Sequence, residues 1–319
     1  MGTSNTLPRK ARITPEQLKY LNERAAWPWL KDALLDWAVM ISAIVMAGAW
    51  HNPAGYMLAV LILGNRQHGL ALLGHDGTHY TLSHNRKLND FLTNLFAWWP
   101  LLLTSGGYRT LHNGHHKHLS TEDDPEIVHK KSRAPQWDLP APLTRILGYA
   151  AKDLVGYSLP DFWIIVTFSK PPLKSDYLGL AAFHLIVNAF LLWAGLWWVS
   201  ALWYGSLVTA FMMFFRLRLW LEHQGSDLAH RLDLKPWEAA LLAPHLSWHH
   251  WEHHQWPAVP YWKLPELRRL ITDQPLVTLS SLLKFYRACP AAPSGHPQRG
   301  MPVIVSLAAD TTRSGVTGR

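Results

Sequence analysis

Histidine crowds into short stretches of this chain. "HNGHHKHLS" at 112–120 holds four imidazoles in seven residues, "HHWEHH" at 249–254 repeats that density, and "HDGTH" spans 75–79. On a helix, residues three and four apart share a face, so each group can aim its rings at one point. His75 pairs with His79, His112 with His115 and His116, and His250 with His253 and His254. Neutral imidazole is a good ligand for iron, zinc, copper or nickel, whereas magnesium and calcium prefer all-oxygen sites. With His223, nine such rings are at hand. That is more than one ion can accept, and two ions with four or five nitrogens each would use them all. A metal-bound imidazole also needs an acceptor for its other N–H. Asp76, Glu122, Asp123, Asp124, Glu222 and Glu252 lie close enough in sequence to be expected in that role.

Other chemistry is disfavoured. "HDGTH" lacks the glutamate of HExxH, so a zinc protease would have no general base. The single cysteine, Cys289, excludes an internal disulfide and a cysteine-ligated cluster or zinc site. The remaining histidines read differently. His51 falls on the opposite face of the membrane from the clusters, and His118, His129, His230 and His296 are expected to be solvated. His68, seven residues before His75, shares its helical face and reads as packing or support. His184 is expected to make a structural hydrogen bond, and His245 and His249 stay ambiguous beside the last group.

The elements that must carry these residues are apolar. Hydrophobic residues are 49% of the 319, charged ones 16%, and the apolar ones concentrate in runs. Crossings are expected at about 33–50, 56–73, 178–199 and 201–221, near the ~20 residues that span a bilayer. The predicted fold is an all-α integral membrane protein, four helices in two hairpins with tips near His51 and Ser200, capped by a cytoplasmic histidine-rich helical domain. Its parts are a cytoplasmic arm (1–31), the membrane domain (32–287) and a mobile, Pro- and Gly-rich tail (288–319). "FLTNLFAWWPLLL" (91–103) is too short to cross and reads as interfacial or re-entrant, with Trp98–Trp99 in the headgroup layer. Asn65, Arg66 and His68 interrupt the second crossing, and Arg66 is expected near the cytoplasmic interface.

Net charge is +8 and the isoelectric point 9.6. Lys and Arg fill the N-terminal arm, the middle segment and the C-terminal third but avoid both hairpin tips. This is positive-inside patterning rather than a nucleic-acid patch. It puts both termini and every histidine group in the cytoplasm. The polar first 31 residues predict no secretory signal peptide before the first apolar run.

"GHDGTH", "HNGHH" and "HHWEHHQWPAVPYWKLPEL", with "STEDDPE" after the second group, resemble the three histidine boxes of the integral-membrane fatty acid desaturase and hydroxylase superfamily. The resemblance covers about 60–285, and His223 in "RLWLEHQG" matches the family's additional histidine. It implies a non-haem di-iron centre held by the box histidines, with dioxygen as co-substrate. The oxidant removes hydrogen from an unactivated C–H bond of a long-chain fatty acid or acyl lipid entering from the bilayer. Desaturation to a cis alkene is the first expectation. A hydroxylase, a carotenoid oxygenase or a decarboxylase forming terminal alkenes is the alternative, since one scaffold hosts all of them. Arg66, if it faces the site, could hold the free carboxylate that decarboxylation needs. The one departure is the HxxxH spacing of the first box, shorter than in animal acyl-CoA desaturases. No flavin, haem or iron–sulfur segment is evident, so electrons are expected from a ferredoxin or rubredoxin with its reductase. A bacterial inner membrane is the expected location. A membrane metal carrier is the non-enzymatic alternative, and it would need ionisable residues spread through the crossings.

Overall fold

The computed structural model describes residues 13–170, 174–226, 228–272 and 274–289. Most of the expected tail, His296 included, lies outside the described residues, as do the first twelve residues of the expected arm. The chain is helical, as expected, apart from two two-residue strands that sequence reading did not foresee. Leu232–Asp233 (β1) pairs in parallel with Val277–Thr278 (β2).

After the short α1 (Pro15–Leu21), α2 (Ala26–Trp50) and α3 (Pro53–Thr78) pack against each other. The two helices are joined at His51–Asn52. His51 adopts a left-handed conformation that ends α2, and Asn52 caps α3 by accepting from Gly55 N–H at 2.8 Å, with Pro53 at the first helical position. Among the described residues, three stretches are long and apolar enough to cross a membrane: Pro15–Trp50, Lys174–Trp193 and Trp197–Glu222. They contain the expected first and fourth crossings, and the second of them covers the expected third only as far as Trp193. The expected second crossing lies within α3, which is long enough but carries Asn65, Arg66, Gln67 and His68 mid-helix and is not one of the three.

Between α3 and the later apolar run lie α4 (Arg86–Thr93), a π-helical turn over Asn94–Trp98, a 3-10 turn over Trp99–Leu101, α5 (Ser105–His118), α6 (Pro125–Ser132), α7 (Leu143–Asp153) and α8 (Leu159–Phe168). The π and 3-10 turns leave backbone carbonyls unpaired, and buried carbonyls need partners. Side chains of neighbouring helices supply them: Trp37 Nε1 donates to Phe96 O (2.9 Å), His184 Nε2 to Trp99 O (2.8 Å) and Trp203 Nε1 to Pro100 O (3.0 Å). The segment 91–103 is thus short, irregular helix tied to its neighbours, and it is not among the three apolar stretches. Trp98 is 1% exposed, packed between α3 and Tyr108. Its flat indole fills the gap left by Gly74, which no sequence pattern disclosed.

The later apolar run breaks earlier than expected. α9 (Lys174–Trp193) ends six residues early and the break is Ala194–Leu196, while Ser200 sits inside α10 (Trp197–Val208). Gly195, at φ +72°, takes the left-handed position, and Leu196 N–H returns to Leu191 O at 2.7 Å. That is a glycine-terminated helix end, and hydropathy alone passes straight over it. The expected fourth crossing is also broken, at Thr209, so that α11 (Ala210–Glu222) starts anew. α10 and α11 pack on α3, whereas α9 has no buried residue. The remainder is α12 (Pro236–Leu242), α13 (His250–Gln255), α14 (Leu264–Arg269) and α15 (Leu279–Ala288). With α7 and the strands, α15 builds a second small core around Trp137, Trp220, Leu232, Val277 and Tyr286.

Candidate metal centre

Four elements deliver the histidines to one place. The last turn of α3 carries His75, and His79 caps that helix. α5 carries His112, His115 and His116, α13 carries His250, His253 and His254, and His223 caps α11. The end of α3 can approach its neighbours because residue 77 is glycine: a Cβ there would lie 2.3 Å from Thr93 Oγ1. Arg109 then ties α5 to it, donating from Nε to Thr78 O (2.9 Å) and pairing with Asp90 at 2.6 Å. Asp76 ties it to the segment after α13, accepting from Tyr261 N–H (3.0 Å) and Thr81 Oγ1 (2.6 Å).

All nine sequence-selected histidines are brought together, in two sets. His75, His79, His112, His116 and His253 form a group whose ring nitrogens lie within 4.8 Å of one another. His115, His223 and His254 form a second, overlapping a third made of Glu222, His223 and His250. The chain order interleaves. His115 and His116 are adjacent yet belong to different sets, and so are His253 and His254.

Each set has the same centre. His112 Nε2 stands 2.9 Å from the Nε2 atoms of both His79 and His116. His250 Nε2 stands 2.8 Å from His223 Nε2 and 3.0 Å from His254 Nε2. A ring nitrogen carries one proton or one in-plane lone pair, so the middle nitrogen cannot make two ordinary hydrogen bonds at once. His75 Nε2 and His253 Nε2 are buried with no partner at all. Converging lone pairs of this kind suit a cation, and imidazole sets suit a transition metal.

Protonation agrees. Burial holds His75, His112, His250, His253 and His254 well below the usual imidazole range, and lowers His79 and His223 to about 3 and His116 to about 4. Neutral rings are what a metal requires. His115 differs: burial opposes its charge, but the Asp124 hydrogen bond and the Glu126 charge outweigh this and raise it.

Only some of the expected acidic supports serve. Asp124 accepts from His115 Nδ1 at 2.9 Å and so turns Nε2 toward the second set. The backbone does the same for His223, whose Nδ1 donates to Leu228 O at 2.8 Å. Asp76 is spent on Thr81 and Tyr261, and Glu252 pairs with Arg231 at 2.7 Å. Glu122 reaches Lys131 from an exposed position, and Asp123 is exposed. Glu222 does not accept from the outer nitrogen of any ring: it faces the inner nitrogen of His250, 3.6 Å away. Sequence order cannot tell which side of an imidazole a carboxylate approaches.

The other histidines lie apart from the two sets. His184 makes its structural hydrogen bonds, to Tyr204 Oη and Trp99 O, both 2.8 Å. His245 pairs with Asp36 at 2.6 Å, and His249 donates to Leu246 O. His68 is wholly buried in α3 outside both sets, and His51 is exposed between α2 and α3. Expected solvation fails for His230, buried and bonded to Leu221 O, and for His129, paired with Asp161 at 3.0 Å. His118 is half-buried. Arg66 pairs with Asp36 at 3.0 Å and donates to Ala240 O, so it does not face the histidines. Tyr108 was missed: its ring stacks on His112 at 5.4 Å, and its place one helical turn earlier was the available signal.

A cavity of about 640 Å³ opens beside the two sets, reaching His112 and His115 at one wall. Ile165, Phe168, Met212 and Phe215 make it largely apolar.

Helices that present a histidine-rich centre beside an apolar cavity describe a membrane-associated oxidoreductase. The fatty acid desaturase family matches residues 51–277. The chain belongs to that family. It is 26% identical over 265 residues to a dihydrorhizobitoxine desaturase of Bradyrhizobium elkanii, covering 75% of this chain and 74% of that one. It is 25% identical over 256 residues to a zeaxanthin 4-ketolase of Chlamydomonas reinhardtii, covering 74% of this chain and 48% of the ketolase. To a beta-carotene ketolase of Paracoccus sp. (strain N81106 / MBIC 01143) it is 26% identical, covering 63% of this chain and 74% of the relative. The chain spans about half the length of the Chlamydomonas protein.

Proposed function

We propose that this protein carries out oxygen-dependent oxidation of an aliphatic C–H bond in a fatty acyl or related lipid substrate, most directly desaturation to a cis alkene. The observation that carries the reading is the pair of convergent imidazole sets at the wall of a largely apolar cavity. His75, His79, His112, His116 and His253 would hold one iron ion, and His115, His223, His250 and His254 the other. Iron bound there supplies the dioxygen-activating redox chemistry.

The protein's own residues do the rest. Asp124 and Leu228 O fix His115 and His223 with their inner nitrogens forward. Burial disfavours the charged form of every ring but His115, where Asp124 and Glu126 outweigh it. The cavity, about 640 Å³, is within the ~300–1,000 Å³ of sites that enclose a small ligand, and its mostly apolar walls would take a hydrocarbon chain laid past His112 and His115. Whether the chain leaves as an alkene or an alcohol depends on how those walls hold the second C–H bond.

The topology follows from the same reading: α2 and α3, then α9 with α10 and α11, as four crossings in two hairpins. Both termini and the histidine centre are cytoplasmic in a bacterial inner membrane. An external ferredoxin or rubredoxin, with its reductase, delivers electrons to the basic cytoplasmic face. Segments 1–31 and 288–319 flank this unit. Decarboxylation loses its support, because Asp36 already occupies Arg66.

The relatives favour a second reading, oxidation of a carotenoid end ring, since ketolases of that kind match over most of this chain. Only a terminal ring would need to enter the cavity, with the polyene left in the bilayer. One experiment separates the two: the full chain is supplied with NAD(P)H, a ferredoxin reductase, a ferredoxin and either labelled fatty acid or β-carotene, and products are read by mass spectrometry. An unsaturated acid is expected, and a ketocarotenoid establishes the second reading. Two bound irons with no product from either substrate class would overturn both.

A further inference from the structure

The two histidine sets are unequal, five rings against four. The geometry points to Glu222 as the fifth ligand of the smaller set, a carboxylate oxygen bound directly to its metal. This rests on the two-metal reading and deepens it, making one site all-nitrogen and the other mixed nitrogen and oxygen.

Placement is the first argument. Glu222 Oε2 lies 3.6 Å from His250 Nε2, the same nitrogen on which His223 and His254 converge. A carboxylate that merely oriented His250 would sit on its Nδ1 side. Glu222 sits on the side where the lone pairs meet, and its oxygen belongs with His223 and His250 to one metal-sized group. It is the residue just before His223 on the last turn of α11, so the backbone that presents one also presents the other.

Satisfaction is the second. Glu222 is 0% exposed, and neither of its oxygens has a hydrogen-bond partner. Arg218, one turn earlier, brings Nη2 to 2.8 Å of Oε2, yet it lies off the hydrogen-bond direction, and Nη2 is itself without such a partner. A buried carboxylate held by charge alone is costly. A metal ion on its free lone pairs removes that cost. The guanidinium then balances charge behind it.

A carboxylate in place of a fifth imidazole donates through a hard anionic oxygen, which favours the higher iron oxidation state. The two irons would therefore differ spectroscopically even before substrate binds.

The test uses the full chain in detergent, loaded anaerobically with ferrous iron-57 and compared with Glu222→Gln and Arg218→Met. Iron titration and Mössbauer spectra are read for all three, with circular dichroism to confirm folding. In the wild type two irons with distinct quadrupole doublets are expected. Glu222→Gln should leave one doublet unchanged and weaken the other iron by on the order of a hundredfold, the upper range even for residues that act on ligands indirectly. Arg218→Met, which breaks the pair but leaves the carboxylate, should keep both irons. If Glu222→Gln binds two irons with wild-type affinity and unaltered doublets, the assignment is wrong. If Arg218→Met loses an iron as Glu222→Gln does, the carboxylate serves the ion pair instead, and the assignment also fails. A wild type that binds fewer than two irons would overturn the two-metal reading itself, and this inference with it.

Discussion

The larger histidine set draws on α3, α5 and α13; the smaller draws on α5, the end of α11 and α13. Two elements thus serve both sets and two serve one each. The difference teaches that a histidine box is not a metal site. Neighbours on one helical turn, such as His115 and His116, look toward different centres because successive helical residues point about 100° apart. The unit that converges on one point is a set of faces, one from each helix.

This comparison can be broken selectively. His79→Ala and His223→Ala should have the largest effects, each abolishing turnover while lowering iron from two per chain to one. The irons lost should differ: His79→Ala empties the five-ring set and His223→Ala the smaller one, as separate Mössbauer doublets would report. Loss of the same doublet in both variants would merge the sets into one. Asp124→Asn comes next. Among the nine histidines Asp124 bonds to His115, and it also caps α6 by accepting from Glu126 N–H at 2.9 Å, a role asparagine can keep, so iron affinity at the smaller set should fall by roughly 10–100-fold with the larger set unchanged. Equal weakening of both irons in a titration would contradict the division.

Packing effects follow. Gly77→Ala pushes a methyl group into Thr93 at the end of α3, and overpacking of this kind costs about 1–3 kcal/mol. A lowered thermal midpoint is expected, with the five-ring set the first to loosen. Smallest of all should be Leu185→Ala on α9, a helix with no buried residue. Stability should change by no more than about 0.5 kcal/mol, and iron content not at all. A large loss of iron from that change would show that α9 supports the centre after all.

How much of this was legible in sequence depended on the range of the signal. Helical spacing and hydropathy are local, and they gave the choice of these nine histidines, the apolar runs and the helix break at His51–Asn52. The later break was misplaced by about five residues because the apolar run continues through Gly195, whose backbone conformation, not its polarity, turns the chain. The break at Thr209 and the π turn at Asn94–Trp98 carry no composition signal. They are stabilised by partners far along the chain, as when Trp37 caps Phe96 O. Acidic residues fared worst. Asp76, Glu222 and Glu252 all stand beside box histidines in sequence, yet one binds a backbone amide, one an arginine, and one faces the inner nitrogen of a ring. Proximity along the chain does not carry direction in space.

The central claim is that the nine histidines make two metal sites of different composition. X-ray absorption at the iron edge, combined with iron quantification on the intact protein loaded anaerobically with ferrous iron, tests it most directly. The account predicts saturation at two irons per chain, a first shell dominated by imidazole nitrogen with a minor oxygen contribution, and no haem absorbance. Saturation at a single iron, or a protein that refuses iron and retains zinc alone, would contradict it.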